Sequence, residues 1–183
     1  MPGKAYSALV DVAVDQHGFV TTDDARTVGV SPAALRAIAH RGDAERISQG
    51  LYRLRIVPVG DHDQLMEATL WPRGQGVISH DTALGLWELC DVNPAKVHVT
   101  VPAAARIRRQ APPAYAVHVR DRDPEDITRV DGIPVVTARR AILDGIDRHL
   151  DGRLIDQAVR TARRTGLLRR AAVAEITAAR PAR

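Results

Sequence analysis

Between residues 18 and 42 the chain is punctuated so closely that only short helices fit. Gly18, Thr21-Thr22, Gly29, Ser31-Pro32 and Gly42 all fall inside this stretch. A first helix is expected over roughly residues 4–16, because Tyr6, Leu9, Val10 and Ala13 recur at helical spacing and Gly18 ends the run. Phe19-Val20 is a short extended piece. Thr21-Thr22 offers an N-cap for a second helix, Asp23 to Val28, and two aspartates in its first turn suit the helix dipole. Gly29 closes it. The third helix has the sharpest start: Ser31 is a capping residue, and Pro32 stands where its missing N–H costs nothing. It runs to about Arg41.

On that third helix Leu35, Ile38 and Ala39 form the buried stripe. The opposite side carries Ala33, Arg36, Ala37 and His40, with Arg41 beside it. Small residues there permit close approach to a duplex, and the cations reach base edges or phosphates. Glu45–Ser48 and Leu51–Leu54 read as two strands joined at Gln49-Gly50. Arg46 and Arg53 are expected to line that hairpin and touch phosphate. Helix, short strand, two helices and a hairpin is the winged helix-turn-helix order. Ser31, Ala33, Arg36, Ala37, His40, Arg41, Arg46 and Arg53 are therefore the candidate DNA-contacting residues. A protein-binding module of the same shape is the alternative.

Pro58 and Gly60 suggest a boundary, which divides the chain into residues 1–57 and 58–183. Helical spacing resumes through Gln64, Leu65, Ala68 and Trp71. Val77-Ile78 reads as a short strand, and Ser79 as the cap of a helix running to Leu89. Residues 97–101 alternate as a half-buried strand with His98 and Thr100 outward. A second strand is expected near residues 116–120. Ile127–Val130 and Ile133–Val136 flank Asp131-Gly132, a strong hairpin signal, and Pro134 suggests that one of these two strands is at an edge. Thr137 caps a helix, and two more come near residues 152–165 and 169–179. The fold class is α+β: an N-terminal winged helix-turn-helix, then a mixed domain ending in helices.

Charge is distributed unevenly. Residues 58–100 hold 2 Lys/Arg against 6 Asp/Glu, whereas residues 101–183 hold 17 against 10. Separate acidic and basic faces are the consequence. Arg106, Arg108 and Arg109 in a loop, and Arg160, Arg163 and Arg164 on a helix, are candidates for contact with DNA or a protein partner. Aromatics make up only 3% of the chain, so stacking on single-stranded nucleic acid is disfavoured. Cys90 is the only cysteine, which excludes an intrachain disulfide or a cysteine-based zinc site. No apolar run is long enough to span a bilayer, the N-terminus lacks a signal-peptide pattern, and a cytoplasmic protein is expected.

Catalytic patterns do not emerge. Ser79-His80-Asp81 are consecutive on one helix and point about 100° apart, so they cannot form a triad. His98 and His118 are expected to face each other across neighbouring strands as a surface pair. The seven histidines show no metal-ligand spacing, and no Gly-rich phosphate loop occurs. No catalytic residue, cofactor or metal is expected.

The stretch GFVTTDDARTVGVSPAALRAIAHRGDAERISQGLYRL (residues 18–54) resembles the AbiEi-type antitoxins of type IV toxin–antitoxin systems. VISHDTALGLWEL (77–89), VHVTVP (97–102) and VDGIPVVTARRAILD (130–144) are similar in kind and order. The resemblance implies a winged helix that binds double-stranded DNA at the operon's own promoter. It also implies a C-terminal domain that restrains a nucleotidyltransferase-like toxin. The reader would be the helix from Ser31 to Arg41, with the wing from Arg46 to Arg53. Some relatives continue into an endonuclease-like domain, which is not seen in the sequence to Arg183. A stand-alone regulator and a degenerate nuclease are the alternatives to an antitoxin.

Overall fold

The structure is a computed structural model that describes residues 4–105, 107 and 110–180. The chain divides into two compact units, Met1–Gly76 and Val77–Arg183.

In the first unit, α1 (Lys4–Asp15) is followed by β1 (Phe19–Thr21), α2 (Thr22–Thr27), α3 (Pro32–His40), β2 (Ala44–Ser48), β3 (Leu51–Leu54) and α4 (Asp63–Leu70). Local chemistry sets each boundary. Thr21 and Asp24 form a reciprocal capping box: the Asp24 N–H donates to Thr21 Oγ1 at 3.0 Å, and the Thr21 N–H donates to Asp24 Oδ2 at 2.8 Å. Ser31 Oγ accepts the Ala34 N–H at 3.1 Å, with Pro32 at the first helical position. Leu9, Ala13, Val20, Ala25, Val30, Leu35, Ile38, Ala44, Tyr52 and Leu54 make one apolar cluster beneath the helices and a sheet of order β1-β3-β2. Truncating a fully buried leucine in such a cluster, Leu35 for example, costs about 2–5 kcal/mol.

The hairpin does not stand free at its turn. Gly50 has φ +80°, and a Cβ there would lie 3.2 Å from Thr22 Oγ1. The Thr22 N–H donates to the Gly50 carbonyl at 2.8 Å, so the turn is fastened to the start of α2. The compact unit also extends past residue 57, where the sequence suggested a boundary. Arg53 on β3 pairs with Asp63 on α4 at 2.9 Å, and Met66, Ala68, Thr69 and Trp71 are buried. This ion pair and this packing make α4 part of the winged-helix unit, which runs to Gly76.

The second unit contains β4 (Val77–Ile78), α5 (His80–Leu86), β5 (Val97–Val101), β6 (Tyr115–Val119), β7 (Ile127–Val130), β8 (Ile133–Val136), α6 (Ala138–Asp147), α7 (Gly152–Arg164) and α8 (Arg170–Ala178). A single 3-10 turn, Pro124–Asp126, precedes β7. The strands form one mixed sheet of order β6-β5-β4-β8-β7. Asp131 and Gly132 both have positive φ, as a two-residue type I′ hairpin requires. β7 is the edge strand of that pair, and Pro134 lies on the inner strand β8, where β4 pairs with β8 only at Ile78–Val135.

Two expectations change. β5 is buried at all five positions rather than on alternate ones, because α5 packs on the strand and covers polar positions with it. α5 ends at Leu86, shorter than expected, with Glu88 in the left-handed region. α6 is the central helix: Ala141 through Ile146 are all buried. Gly145 permits this, since a Cβ there would lie 3.1 Å from Ile155 Cδ1 of α7.

Candidate nucleic-acid interface

α3 presents the side that its sequence pattern requires. Leu35 and Ile38 are buried in the apolar cluster, while Ala33, Arg36, Ala37, His40 and Arg41 are exposed. Ser31 is exposed as well, its hydroxyl engaged in the cap. The face is therefore small and cationic, with two alanines spaced among Arg36, His40 and Arg41. Arg41 lies 3.5 Å from Asp43, and both side chains are at least half exposed, so water screens the pair and the arginine keeps its reach.

On the hairpin, Arg46 is exposed, opposite Tyr52 in the register. Arg53 is placed otherwise than the sequence suggested. Its side chain is 13% exposed; Nε and Nη2 both donate to Asp63 Oδ2, at 3.2 and 2.9 Å, and Nη2 donates to the Pro58 carbonyl at 2.9 Å. Its guanidinium also lies over the Phe19 ring, 5.9 Å from the centroid. Arg53 is thus a tie between wing and α4, and not a free phosphate contact. The reason is tertiary: Asp63 comes from a helix that alternation in β3 gives no hint of. Arg55, just past β3 and not among the candidate contacts, is exposed.

In the second unit Arg160, Arg163 and Arg164 are exposed on one face of α7. Arg106, Arg108 and Arg109 lie outside the described residues.

The same unit gathers polar side chains of which the sequence joined only His98 and His118. His80, His98 and His118 converge, each offering one ring nitrogen within 4.8 Å of the others. His98 Nδ1 and His118 Nε2 are 3.0 Å apart, and the His80 and His118 rings stack at 3.8 Å between centroids. The expected surface pair is thus a largely buried trio: His80 and His98 are buried and His118 half-buried. Ser79 is the N-cap residue of α5, as expected, but its side chain makes no capping hydrogen bond. Its Oγ contacts His80 Nδ1 at 2.8 Å and accepts from Thr100 Oγ1 at 2.8 Å. Arg122 reaches the Thr100 hydroxyl at 3.5 Å and grips Asp144 with both terminal nitrogens at 2.9 and 2.7 Å. Arg140 adds a third hydrogen bond to Asp144, at 3.0 Å.

Burial holds all three imidazoles below their ordinary range. His80 falls to about 3 through desolvation, with His118 and Arg122 adding repulsion. His118 falls to about 4 through desolvation, then His98 and Arg148. Strand alternation paired His98 with His118, but no signal in sequence brought His80 to them, since it comes from a helix whose seat on the sheet no spacing encodes.

A three-helix cluster with a β-hairpin and an outward cationic helix defines the winged helix-turn-helix class. Residues 7–55 match the family described as "Transcriptional regulator, AbiEi antitoxin", so the winged-helix region of the chain is similar to that of AbiEi-type regulators. No curated protein matches the sequence. A crystal structure of the RV2827C protein from Mycobacterium tuberculosis is similar with a TM-score of 0.48 and 13% identity, covering 99% of this chain and 83% of that one. Among the described residues, no helix is long and apolar enough to cross a membrane.

Proposed function

We propose that the chain is the antitoxin and autorepressor of a type IV toxin–antitoxin pair, acting in the cytoplasm. The first unit reads its own promoter, and the second unit restrains a nucleotidyltransferase-like toxin. The observation that carries the DNA half is the exposed face of α3, where Ala33 and Ala37 let the helix approach a groove floor beside Arg36, His40 and Arg41. Arg46 on the hairpin reaches phosphate. The match of residues 7–55 to an antitoxin family supports the toxin half. The exposed arginines of α7 are the basic surface available for that partner. The reading assigns the chain no catalytic step.

Binding of the purified chain to its promoter duplex, titrated with salt, tests this. Arg36→Ala lowers affinity by about 1–3 kcal/mol if it reads a base, and reduces the salt slope by about one unit if it holds a phosphate. Unchanged affinity and slope in both Arg36→Ala and Arg46→Ala would overturn the reader. Co-expression with the toxin encoded beside it tests the second half, through rescue of growth.

A further inference from the structure

We propose that the second unit is a metal-binding unit, holding one divalent transition-metal ion on His80, His98 and His118. Each residue comes from a different element: His80 opens α5, His98 lies on β5 and His118 on β6. Thr100 and His118 are register partners, so His98 and His118 sit diagonally on one face of the sheet, and α5 lays His80 across them. One ligand nitrogen from every ring lies within 4.8 Å of the other two. A tetrahedral ion with bonds of about 2.0–2.1 Å needs its nitrogens roughly 3.3 Å apart; on binding, the stacked His80 and His118 rings turn apart and the proton shared by His98 and His118 is released. An all-imidazole set suits zinc, copper, nickel or iron, and not magnesium or calcium, which take oxygen ligands.

Two further observations point to an occupant. Asp81 Oδ1 and Arg122 Nε are buried without a hydrogen-bond partner among the described residues. Both lie in electrostatic reach of the trio, Asp81 acting on His98, and Arg122 on His80 and His118. Each such orphaned buried polar atom calls for a further polar partner. A water has the right chemistry for either atom, since it donates to a carboxylate and accepts from a guanidinium. The support around the rings also fits. With His80 Nδ1 on Ser79, its Nε2 is left for a metal, and the Ser79–Thr100–Arg122–Asp144 chain holds that ring in place.

Tag-free, full-length chain stripped with a chelator is titrated with Zn2+ against a chromophoric chelator, and with Co2+ by visible absorption. One equivalent binds, and Co2+ gives the intense bands of a four-coordinate site. His118→Gln, on the half-buried member of the trio, weakens uptake by at least about tenfold. His149→Asn, in the exposed turn after α6, leaves it unchanged. As a readout that needs no variant, one equivalent of Zn2+ protects His118 of the native chain from acylation by diethyl pyrocarbonate. Promoter affinity is measured alongside, so failure of this site and failure of the DNA reader are separable. No uptake by the folded native chain, equal uptake by folded His118→Gln, or unprotected acylation would show the trio to be a hydrogen-bonded polar core.

Discussion

The two units solve opposite problems with their polar residues. The first gathers an apolar cluster and, Arg53 apart, sends the cations of α3 and the hairpin outward. The second draws polar groups in: Ser79, His80, Thr82, His98, Thr100, Asp126 and Asp144 are all buried there. An outward face works by presenting charge to a partner, and its cost in stability is small. A buried network works only if its members satisfy one another, and losing one strands the rest. Perturbation should therefore damage the second unit through its interior and the first through its surface.

The largest effect is expected at Asp144, which is fully buried and accepts from Arg122 and Arg140. Asp144→Ala leaves the Arg122 charge, itself 6% exposed, without its counter-ion and lowers stability by about 3–5 kcal/mol in chemical denaturation. A loss below about 1 kcal/mol would break the contrast between the units. Acid comes next. With folded values of about 3 for His80 and about 4 for His118, both below the ordinary 6.5, the folded unit resists protons that the unfolded chain accepts. The groups facing them are His98, Arg122 and Arg148. In metal-free protein, stability is level above about pH 6.5 and falls as pH drops from there toward 4. Denaturation curves across that range check the sign, and stability flat in pH would contradict it.

The sharpest test of the first unit is Arg53 against Arg36. Arg53→Ala removes charged hydrogen bonds to Asp63 and costs about 1.5–3 kcal/mol of stability, with the salt slope of DNA binding unchanged. Arg36→Ala does the reverse, since its exposed side chain lies outside the apolar cluster. If Arg53→Ala lowered the salt slope by a full unit while leaving the fold intact, Arg53 would be a phosphate contact after all.

What sequence alone settled was local. Ser31-Pro32, the Thr21 cap and the Asp131-Gly132 turn act over a few residues, so they mark element ends before any fold exists. Helical periodicity likewise separated Leu35 and Ile38 from Arg36 and His40, because one face of a short amphipathic helix must be buried. Tertiary structure decided the rest. It took Arg53 from solvent to Asp63, turned the hydroxyl of the capping Ser79 toward His80 and Thr100, and brought His80 onto the His98–His118 pair. Hydrogen bonds and imidazole contacts reach only a few ångströms, so which groups meet depends on the sheet order β6-β5-β4-β8-β7 and the seat of α5 on it. No spacing along the chain encodes that order.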